Sequence, residues 1–437
     1  MRKLVILFVL VGVVLPVILL FLSNGTTLRL DPPVKVIGVS TPIQIEITNP
    51  HGIRRVSGWI EQDGTRYPAF DFSEPAQRFL FWKERRRPRF MSFDVGKNVV
   101  PKLHDGPAKL IIEAESNDLR GASDDFDTDV QVILAPPKVT ADGAQHYINQ
   151  GGSELVSFTA SGYWTEAGVR VGPRTFRSFP LPGRQPGERF ALFAYAWDLP
   201  EGIDPKVFVR NPAGAEATAG FWHKVFPKKF HSRDLVIDDA FLQKVVGQID
   251  PQGTGDLLDR FLHINRDMRR RNNQVLASLT LKTADHFLWS GPFLQMMNTQ
   301  VESSFADKRS YIYKGKKVDE QVHLGFDLAS TQHVAVPAAN DGKVVYASDL
   351  GIYGNCVVVD HGYGLQSIYG HLSEIGVKIG DMVKKGQSLG KSGSTGLAGG
   401  DHLHFSMQVD GVQVNPVEWW DEHWIRDRIL SKVGGGS

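Results

Sequence analysis

The sequence contains almost no cysteine, since Cys356 is the only one among 437 residues. No disulfide can therefore form within the chain, which excludes a small disulfide-framed fold. Cys356 begins the apolar run Cys356-Val357-Val358-Val359, which is typical of a buried strand. We therefore interpret its thiol as a small core side chain and not as a nucleophile.

An excess of charge of either sign is also lacking. The chain has 49 Lys and Arg residues against 48 Asp and Glu residues, a net charge of +1. Proteins whose partner is nucleic acid usually present a strongly basic surface, so we predict no nucleic-acid partner. Two local basic runs, Lys83–Arg89 and Arg266–Arg271, are interpreted as solvated faces.

Long apolar runs are scarce, and the clearest one follows Arg2 and Lys3 at the N-terminus. Residues 4–22 carry no charge, which approaches the roughly 20 residues of a membrane-spanning helix. Because flanking basic residues stay cytoplasmic, we predict a single-pass anchor in the cytoplasmic membrane. The bulk of the chain would then be extracytoplasmic, on the periplasmic or cell-wall side. The alternative is a signal peptide cleaved near Ser23-Asn24-Gly25.

Short runs that alternate apolar and polar residues fill the region that follows the predicted anchor. Ile43–Thr48 and Val130–Leu134 are examples, and Gly, Pro and Asn separate such runs. This period of two predicts antiparallel sheets. We divide the region into two modules, residues 27–135 and 136–233, each predicted to be an immunoglobulin-like β-sandwich. Neither module calls for chemistry, and both are candidates for binding a regulatory protein.

The pattern changes over residues 234–285, where apolar residues lie three and four positions apart. This spacing predicts helices within Asp239–Val246 and Leu257–Asn265, and thus an α-helical connector. Thr254 is predicted to cap the second helix. Because an amphipathic segment precedes the C-terminal region directly, we hypothesise that it covers a substrate groove there and suppresses activity.

The C-terminal region, residues 286–425, is rich in glycine and short strands and is predicted to be all-β, before a tail at 426–437. The whole chain is therefore predicted to be mainly β, with an N-terminal transmembrane helix, two sandwich modules and the helical connector. Within the C-terminal region stands His402-Leu403-His404. Alternate residues of a strand share a face, so both imidazoles would point to one place.

Three further residues are candidates to join this pair. His323-Leu-Gly-Phe-Asp327 places a nitrogen and an oxygen donor near each other, and His371 ends an apolar run. His323, Asp327 and one histidine of the pair would make a three-ligand zinc site with an open position for water. Such a zinc lowers the pKa of water to about 7, and the remaining histidines could take its proton and stabilise an oxyanion.

The segment from about Trp289 to Trp420 resembles the M23 family, the lysostaphin- or LytM-like zinc metallopeptidases of bacterial cell walls. The matching motifs, in order, are His323-x-Gly-Phe-Asp327, Ala339–Val345, Tyr353-Gly-Asn355, Val357–Gly362, Tyr369–Leu372, Gly380–Val383, Gly386–Gly390, Gly393–Gly396, His402–Phe405 and Asn415-Pro416. One departure is Ala306, in Ser304-Phe305-Ala306-Asp307, where a glycine is common.

The resemblance implies one zinc ion per chain, with His323, Asp327 and His404 as ligands. It also implies that His371 and His402 are the two catalytic histidines. Family members cut cross-bridges or stem peptides of peptidoglycan, by attack of a zinc-bound water. We therefore expect a peptidoglycan endopeptidase of LytM-like fold, and a D,D-endopeptidase acting on stem-peptide cross-links in particular.

Tyr353 and Asn355 are predicted to line the substrate groove. Two rival functions remain open. One is a non-catalytic cell-wall-binding scaffold or an activator of other hydrolases, since some relatives have lost their ligands. The other is a lipoyl- or biotinyl-like carrier, because Met382 stands near Lys384-Lys385 in a hairpin-like stretch.

Overall fold

A computed structural model of the chain describes residues 10–14, 17, 25–76, 88–117 and 120–434. The predicted anchor, residues 4–22, and the basic run at 83–89 lie largely outside these described residues. Leu10–Val14 form a short helical segment. No helix in the described part of the chain is long and apolar enough to cross a bilayer, so the anchor stays a prediction.

The chain divides into two compact units. The first comprises Met1–Lys138, Gly162–Glu166 and Arg210–Ala217, and the second comprises Val139–Ser161, Ala167–Val209 and Thr218–Ser437. The described residues of both units are mainly β, as predicted.

In the described part of residues 25–138, which belong to the first unit, eight strands form two sheets. They are β1 (Thr27–Leu30), β2 (Val36–Ile37), β3 (Thr41–Thr48), β4 (Ile53–Gln62), β5 (Thr65–Ser73), β6 (Arg89–Val95), β7 (Gly106–Ser116) and β8 (Ser123–Val132). The sheet orders are β1-β3-β6 and β2-β8-β7-β4-β5. Ile43, Ile45 and Ile47 alternate along β3 and are buried in a core that both sheets share. The unit is a β-sandwich, and its immunoglobulin-like classification stays a prediction.

The predicted second module is also built from short strands. They are β9 (Lys138–Ala141), β10 (His146–Asn149), β11 (Ser153–Ser161), β12 (Glu166–Val171), β13 (Arg174–Arg177), β14 (Phe179–Pro180), β15 (Glu188–Ala194), β16 (Lys206–Arg210), β17 (Glu216–Gly220) and β18 (His223–Phe226). The orders are β14-β15-β11-β9, β13-β12-β16-β17 and β10-β18. Phe176, Phe190 and Phe193 are fully buried within this module.

The remaining strands belong to the C-terminal part of the second unit. They are β19 (Ser232–Ile237), β20 (Gln300–Ser303), β21 (Asp307–Tyr313), β22 (Lys316–His323), β23 (Phe326–Ala329), β24 (Ala335–Pro337), β25 (Gly342–Asp349), β26 (Asn355–Gly362), β27 (Leu365–Leu372), β28 (Glu374–Ile375), β29 (Met382–Val383), β30 (Ser388–Lys391), β31 (Leu403–Val409) and β32 (Val412–Val414). The central sheet has the order β20-β23-β31-β27-β26-β25-β29, and β32 pairs with β31. Two three-stranded sheets, β19-β21-β22 and β24-β30-β28, are formed largely by strands interspersed among those of the central sheet in the sequence.

The predicted connector is helical. Its helices are α1 (Asp239–Ile249), α2 (Leu257–His263) and α3 (Arg269–Leu279), and the turns at Ile264–Met268 join the last two. The Thr254 cap is wrong, because Asp256 immediately precedes α2 and its carboxylate accepts hydrogen bonds from the Leu258 and Asp259 amides. A side chain at this directly preceding position reaches the free amides of the first turn.

The connector is part of the core of the C-terminal domain. Leu242, Val246 and Phe261 are fully buried in one cluster with Ile368 and Cys356 of the central sheet. Removing the connector would expose this core to water, and exposing apolar area to water costs free energy. The connector is therefore a built-in element of the domain, and its suppression of activity stays a hypothesis.

The C-terminal end is helical and contacts the second sandwich module. It contains α4 (Val417–Trp420), α5 (Glu422–Arg428) and the turn Leu430–Lys432, so the predicted tail from residue 426 begins inside a helix. Glu418 of α4 accepts hydrogen bonds from Asn149 Nδ2 at 2.8 Å and from the Ser153 amide at 2.7 Å. Lys432 Nζ donates to Glu154 Oε1 at 2.8 Å. These buried polar contacts hold the module on the domain.

The contact of Glu418 makes stability depend on pH. Burial raises the pKa of Glu418 to about 7, from 4.5 in an exposed glutamate. The folded state therefore favours the proton, so this stabilisation is complete below about pH 4.5 and is lost as the pH rises to about 7. Relative to Glu418→Gln, the free energy of unfolding of the wild type should fall by roughly 3 kcal/mol over this range.

Denaturant unfolding of both proteins at several pH values measures this difference. Glu422→Gln, which removes an exposed carboxylate from α5, is the matched control. A constant difference between wild type and Glu418→Gln from pH 4.5 to 7 would contradict the prediction.

Candidate metal centre

The pairing of the central strands brings the candidate ligands together. β31 lies between β23 and β27, and His404 is directly opposite Asp327 on one side and Gly370 on the other. His323, at the end of β22, is paired with Asp307 of β21. Gly370 has no side chain, and a Cβ there would lie 3.2 Å from Tyr353 O, so Tyr353 packs closely against this position beside His404.

Three donor atoms meet at this point. His323 Nε2 lies 2.9 Å from Asp327 Oδ1 and 2.9 Å from His404 Nδ1, and His404 Nδ1 lies 3.1 Å from Asp327 Oδ1. All three side chains are buried and form a group that could hold a metal ion. Donors at about 2.0–2.2 Å from a tetrahedral zinc would be separated by roughly 3.3 Å, so a small outward shift of each would accommodate the ion.

The protonation of the donors also fits a cation. His323 Nδ1 faces the Ser304 carbonyl oxygen at 3.2 Å, and because that oxygen can only accept, Nδ1 carries the hydrogen. Burial, with Arg309 and His404 nearby, outweighs Asp327 and lowers the pKa of His323 to about 4, so its ring is neutral. The lone pair on Nε2 therefore faces a carboxylate oxygen. A bound cation would remove this repulsion, so the residues present fit zinc.

Arg309 is a functional candidate that the sequence analysis missed. Its Nη2 donates to Asp327 Oδ2 at 2.7 Å and to Ser303 Oγ at 2.7 Å, so the other carboxylate oxygen, Oδ1, is turned to the imidazoles. Burial would raise the pKa of Asp327, but the neighbouring histidines hold it well below its usual value. The only sequence signal was an arginine in a strand leading to the His323 motif, which has many structural explanations.

His371 reaches the same face through an irregularity in β27. Asn355 pairs with Leu372 and Val357 with Tyr369, so β27 has one extra residue at this point. His371 adopts φ +63, the left-handed region that costs a non-glycine residue roughly 1–2 kcal/mol. Tyr369 points to the core, and regular alternation would turn His371 there as well. The bulge re-aims it towards His402 and His404, whose ring centroids lie 4.8 and 5.8 Å away.

The two non-ligand histidines are oriented by backbone carbonyls. His371 Nδ1 donates to Thr395 O at 2.8 Å, and His402 Nδ1 donates to Gly400 O at 2.9 Å. Burial and then the neighbouring imidazoles lower the pKa of His371 well below 6.5. Burial also opposes charge on His402, but its contacts with Asp327 outweigh this and raise its pKa. The pKa of one imidazole is therefore lowered and that of the other is raised.

All five histidine and aspartate side chains line one cavity of about 260 Å³. Connector residues, including Leu235, Phe241 and Asn273, form part of its wall. Tyr353 also lines it, with its ring centroid 5.4 Å from that of His404. Asn355 does not line the cavity wall in the described part of the chain. Its backbone amide donates to Thr395 Oγ1 at 3.0 Å. Its predicted substrate contact stays untested.

His361 is fully buried, with Nδ1 2.8 Å from Asp341 O and Nε2 2.8 Å from Ser367 Oγ, as a structural histidine would be. Ala306 adopts φ +62, which explains why glycine suits this turn. The turn is nevertheless formed, because the Ala306 amide donates to His323 O at 2.7 Å.

Removing Arg309 should weaken the metal site without removing a ligand. In Arg309→Gln, Asp327 Oδ2 loses its charged partner, and loss of such an outer contact typically costs 10–100-fold in metal affinity. Zinc dissociation constants from chelator competition measure this, with the exposed neighbour in Lys308→Gln as control. Equal affinities for wild type and a folded Arg309→Gln protein would contradict the proposed role.

The strained backbone at His371 gives a second prediction. His371→Gly should be more stable than His371→Ala by about 1 kcal/mol, because only glycine relieves the left-handed strain. At His402, where φ is not positive, His402→Ala should be more stable than His402→Gly. Thermal or denaturant unfolding of the four proteins tests this, and the same order at both positions would exclude strain at His371.

The comparisons with known proteins concern the part of the chain that forms this site. Residues 321–416 match peptidase family M23. The DD-carboxypeptidase/endopeptidase Mpg of Neisseria meningitidis serogroup B is 38% identical over 97 residues, which is 22% of this chain and 22% of that protein. The murein hydrolase activator EnvC of Escherichia coli is 37% identical over 95 residues, covering 22% of this chain and 23% of EnvC.

Among solved structures, the catalytic domain of the antimicrobial peptidase lysostaphin from Staphylococcus simulans is 31% identical. It covers 27% of this chain and 90% of that domain, with a TM-score of 0.24. The chain thus spans about a fifth of the length of the relatives named above. The match also includes Lys384 and Lys385, the pair on which the carrier hypothesis depended. The C-terminal β domain of this chain is a peptidase family M23 domain.

Proposed function

We propose that this chain is a zinc-dependent endopeptidase that hydrolyses peptide bonds of bacterial peptidoglycan, with stem-peptide cross-links as its substrate. The observation that carries the proposal is the convergence of a complete donor set and two further imidazoles on one cavity. Similarity of the domain to Mpg supports a D,D-endopeptidase.

His323, Asp327 and His404 would hold the zinc ion. The chemistry that zinc supplies when bound in such a site is polarisation of a carbonyl group and a lowered pKa of water. Arg309 orients the carboxylate of Asp327 through a hydrogen bond to Oδ2, and the Ser304 carbonyl keeps His323 in the tautomer that a ligand needs.

His371 and His402 would have different roles in proton transfer. His371 carries its hydrogen on Nδ1 and is neutral, so its Nε2 can accept a proton from the attacking water. His402, whose pKa is raised, can donate from Nε2 to the developing oxyanion of the substrate. Both imidazoles are fixed before substrate binds, which lowers the cost of reorganisation.

We further propose that residues 4–22 anchor the chain in the cytoplasmic membrane with the catalytic domain outside. The uncharged run behind Arg2 and Lys3 supports this placement, and so does the location of peptidoglycan itself. In this arrangement the sandwich modules lie between the membrane and the catalytic domain in the sequence and are available to a regulatory protein.

The second candidate is a non-catalytic activator, which the similarity to EnvC favours. An activator needs a binding surface but does not need both a ligand set and two further imidazoles. The completeness of the set in this chain therefore favours catalysis.

Two variants separate metal binding from catalysis. His323→Ala should lose both zinc and hydrolysis, while His371→Ala should keep zinc and lose roughly 10²–10⁴-fold in rate, the usual contribution of a proton-transfer group. Zinc content is measured by elemental analysis, and products from purified peptidoglycan by mass spectrometry.

The same assay with a chelator and restored zinc completes the test. Hydrolysis should stop on chelation and return with zinc, and the released peptides identify the bond. If the folded wild type binds zinc and releases nothing, or if His371→Ala is as active as the wild type, the proposed catalytic function is wrong.

A further inference from the structure

One wall of the cavity presents two donors from the connector. Arg269 and Asn273 lie four residues apart on α3, a spacing that places them on the same face of a helix. Both line the cavity that contains His404 and Tyr353. Arg269 belongs to the basic run Arg266–Arg271, which is predicted to be a solvated face, and its position in the cavity wall assigns it a different role.

The charge of Arg269 is not neutralised by a carboxylate among the described residues. Its Nε and Nη2 donate to Asn265 O and Asn265 Oδ1, at 3.1 and 2.6 Å, and both acceptors are uncharged. The arginines on either side in the run differ, since Arg266 is paired with Asp319 and Arg270 with Asp267. Arg269 thus brings a fixed positive charge to the cavity wall.

The amide of Asn273 is oriented by Tyr353. The Tyr353 hydroxyl donates to Asn273 Oδ1 at 2.9 Å and accepts from Gln413 Nε2 at 3.1 Å. Because Oδ1 is the acceptor in this bond, Nδ2 is the donor that remains, and no acceptor for it lies among the described residues. A guanidinium and an amide N–H on one helix face match the two oxygens of a carboxylate.

Arg233 of β19 also lies in the cavity wall, but its guanidinium already donates to other groups of the protein. It donates to Glu302 O at 3.1 Å and to Ser303 Oγ, which also accepts from Arg309. Arg233 therefore uses its N–H donors within the protein, near the candidate metal site. Arg269 and Asn273 have N–H donors for which no acceptor lies among the described residues.

We propose that Arg269 and Asn273 form a carboxylate-binding subsite that selects peptides with a free carboxylate near the scissile bond. The proposal rests on the proposed function and names the substrate class of that site. The carboxylate is either a terminal α-carboxylate or a side-chain carboxylate of the peptide, and the two sources share the same recognition chemistry.

The test uses three versions of one synthetic stem-peptide dimer: with free carboxylates, with the α-carboxylate amidated, and with the side-chain carboxylate amidated. Wild-type protein should hydrolyse the free acid with a kcat/KM at least tenfold above that of one amide, and the disfavoured amide identifies the source. Arg269→Gln should lower kcat/KM for the free acid about tenfold, mainly through KM, and leave the disfavoured amide unchanged.

Asn273→Asp is the second variant, for the case that Arg269→Gln loses its contacts with Asn265 and folds poorly. It is isosteric and keeps an acceptor for Tyr353, but it places an anionic oxygen where the substrate carboxylate would lie. It should therefore show the same selective loss. Arg271→Gln removes an equal charge from an exposed position of α3 outside the cavity wall, and should match the wild type.

Binding of the three peptides to His371→Ala protein by calorimetry gives a readout that does not depend on hydrolysis. A preference for the free acid that Arg269→Gln or Asn273→Asp removes supports the subsite, even if no peptide is cleaved and the proposed function fails. Equal binding and equal hydrolysis of acid and amides by the wild type would overturn the subsite and leave the endopeptidase function standing.

Discussion

The position of strand β31 between β23 and β27 is the constraint on which the site depends. Its register places His404 opposite Asp327, and a slip by one residue would turn His404 to the core face and Phe405 to the cavity. Close packing supports this register, since a Cβ on Gly325 would lie 2.6 Å from Cε1 of His404. The strand register and the close approach of Gly325 therefore position the imidazole before any ion binds.

Backbone carbonyl groups orient three of the histidine rings at the site. Ser304, Thr395 and Gly400 each accept from the Nδ1 of one histidine, and each lies outside the central sheet. Because a carbonyl oxygen has no hydrogen to give, it allows only the ring forms that carry hydrogen on Nδ1. The loops thus determine the proton positions, while the strands determine where the rings are. Rigid placement of this kind is what metal binding and proton transfer need.

Sequence motifs predicted the five candidate side chains, because alternation on a strand and the spacing of donors are local properties. They could not reveal the bulge that re-aims His371, since it depends on the pairing of β26 with β27. The role of Arg309 could not be predicted for the same reason, because it comes from contact with Asp327 across strands. The helical period predicted the connector, but only packing of residues such as Phe261 shows that it belongs to the C-terminal domain.

We propose that His323, Asp327 and His404 hold one zinc ion through two nitrogens and one oxygen. X-ray absorption spectroscopy of the zinc-loaded protein measures these ligands. We expect one zinc per chain with two imidazole nitrogens and one carboxylate oxygen from the protein at about 2.0–2.2 Å. A chain that binds no zinc when folded, or a spectrum with a third imidazole or no carboxylate among the ligands, would contradict it.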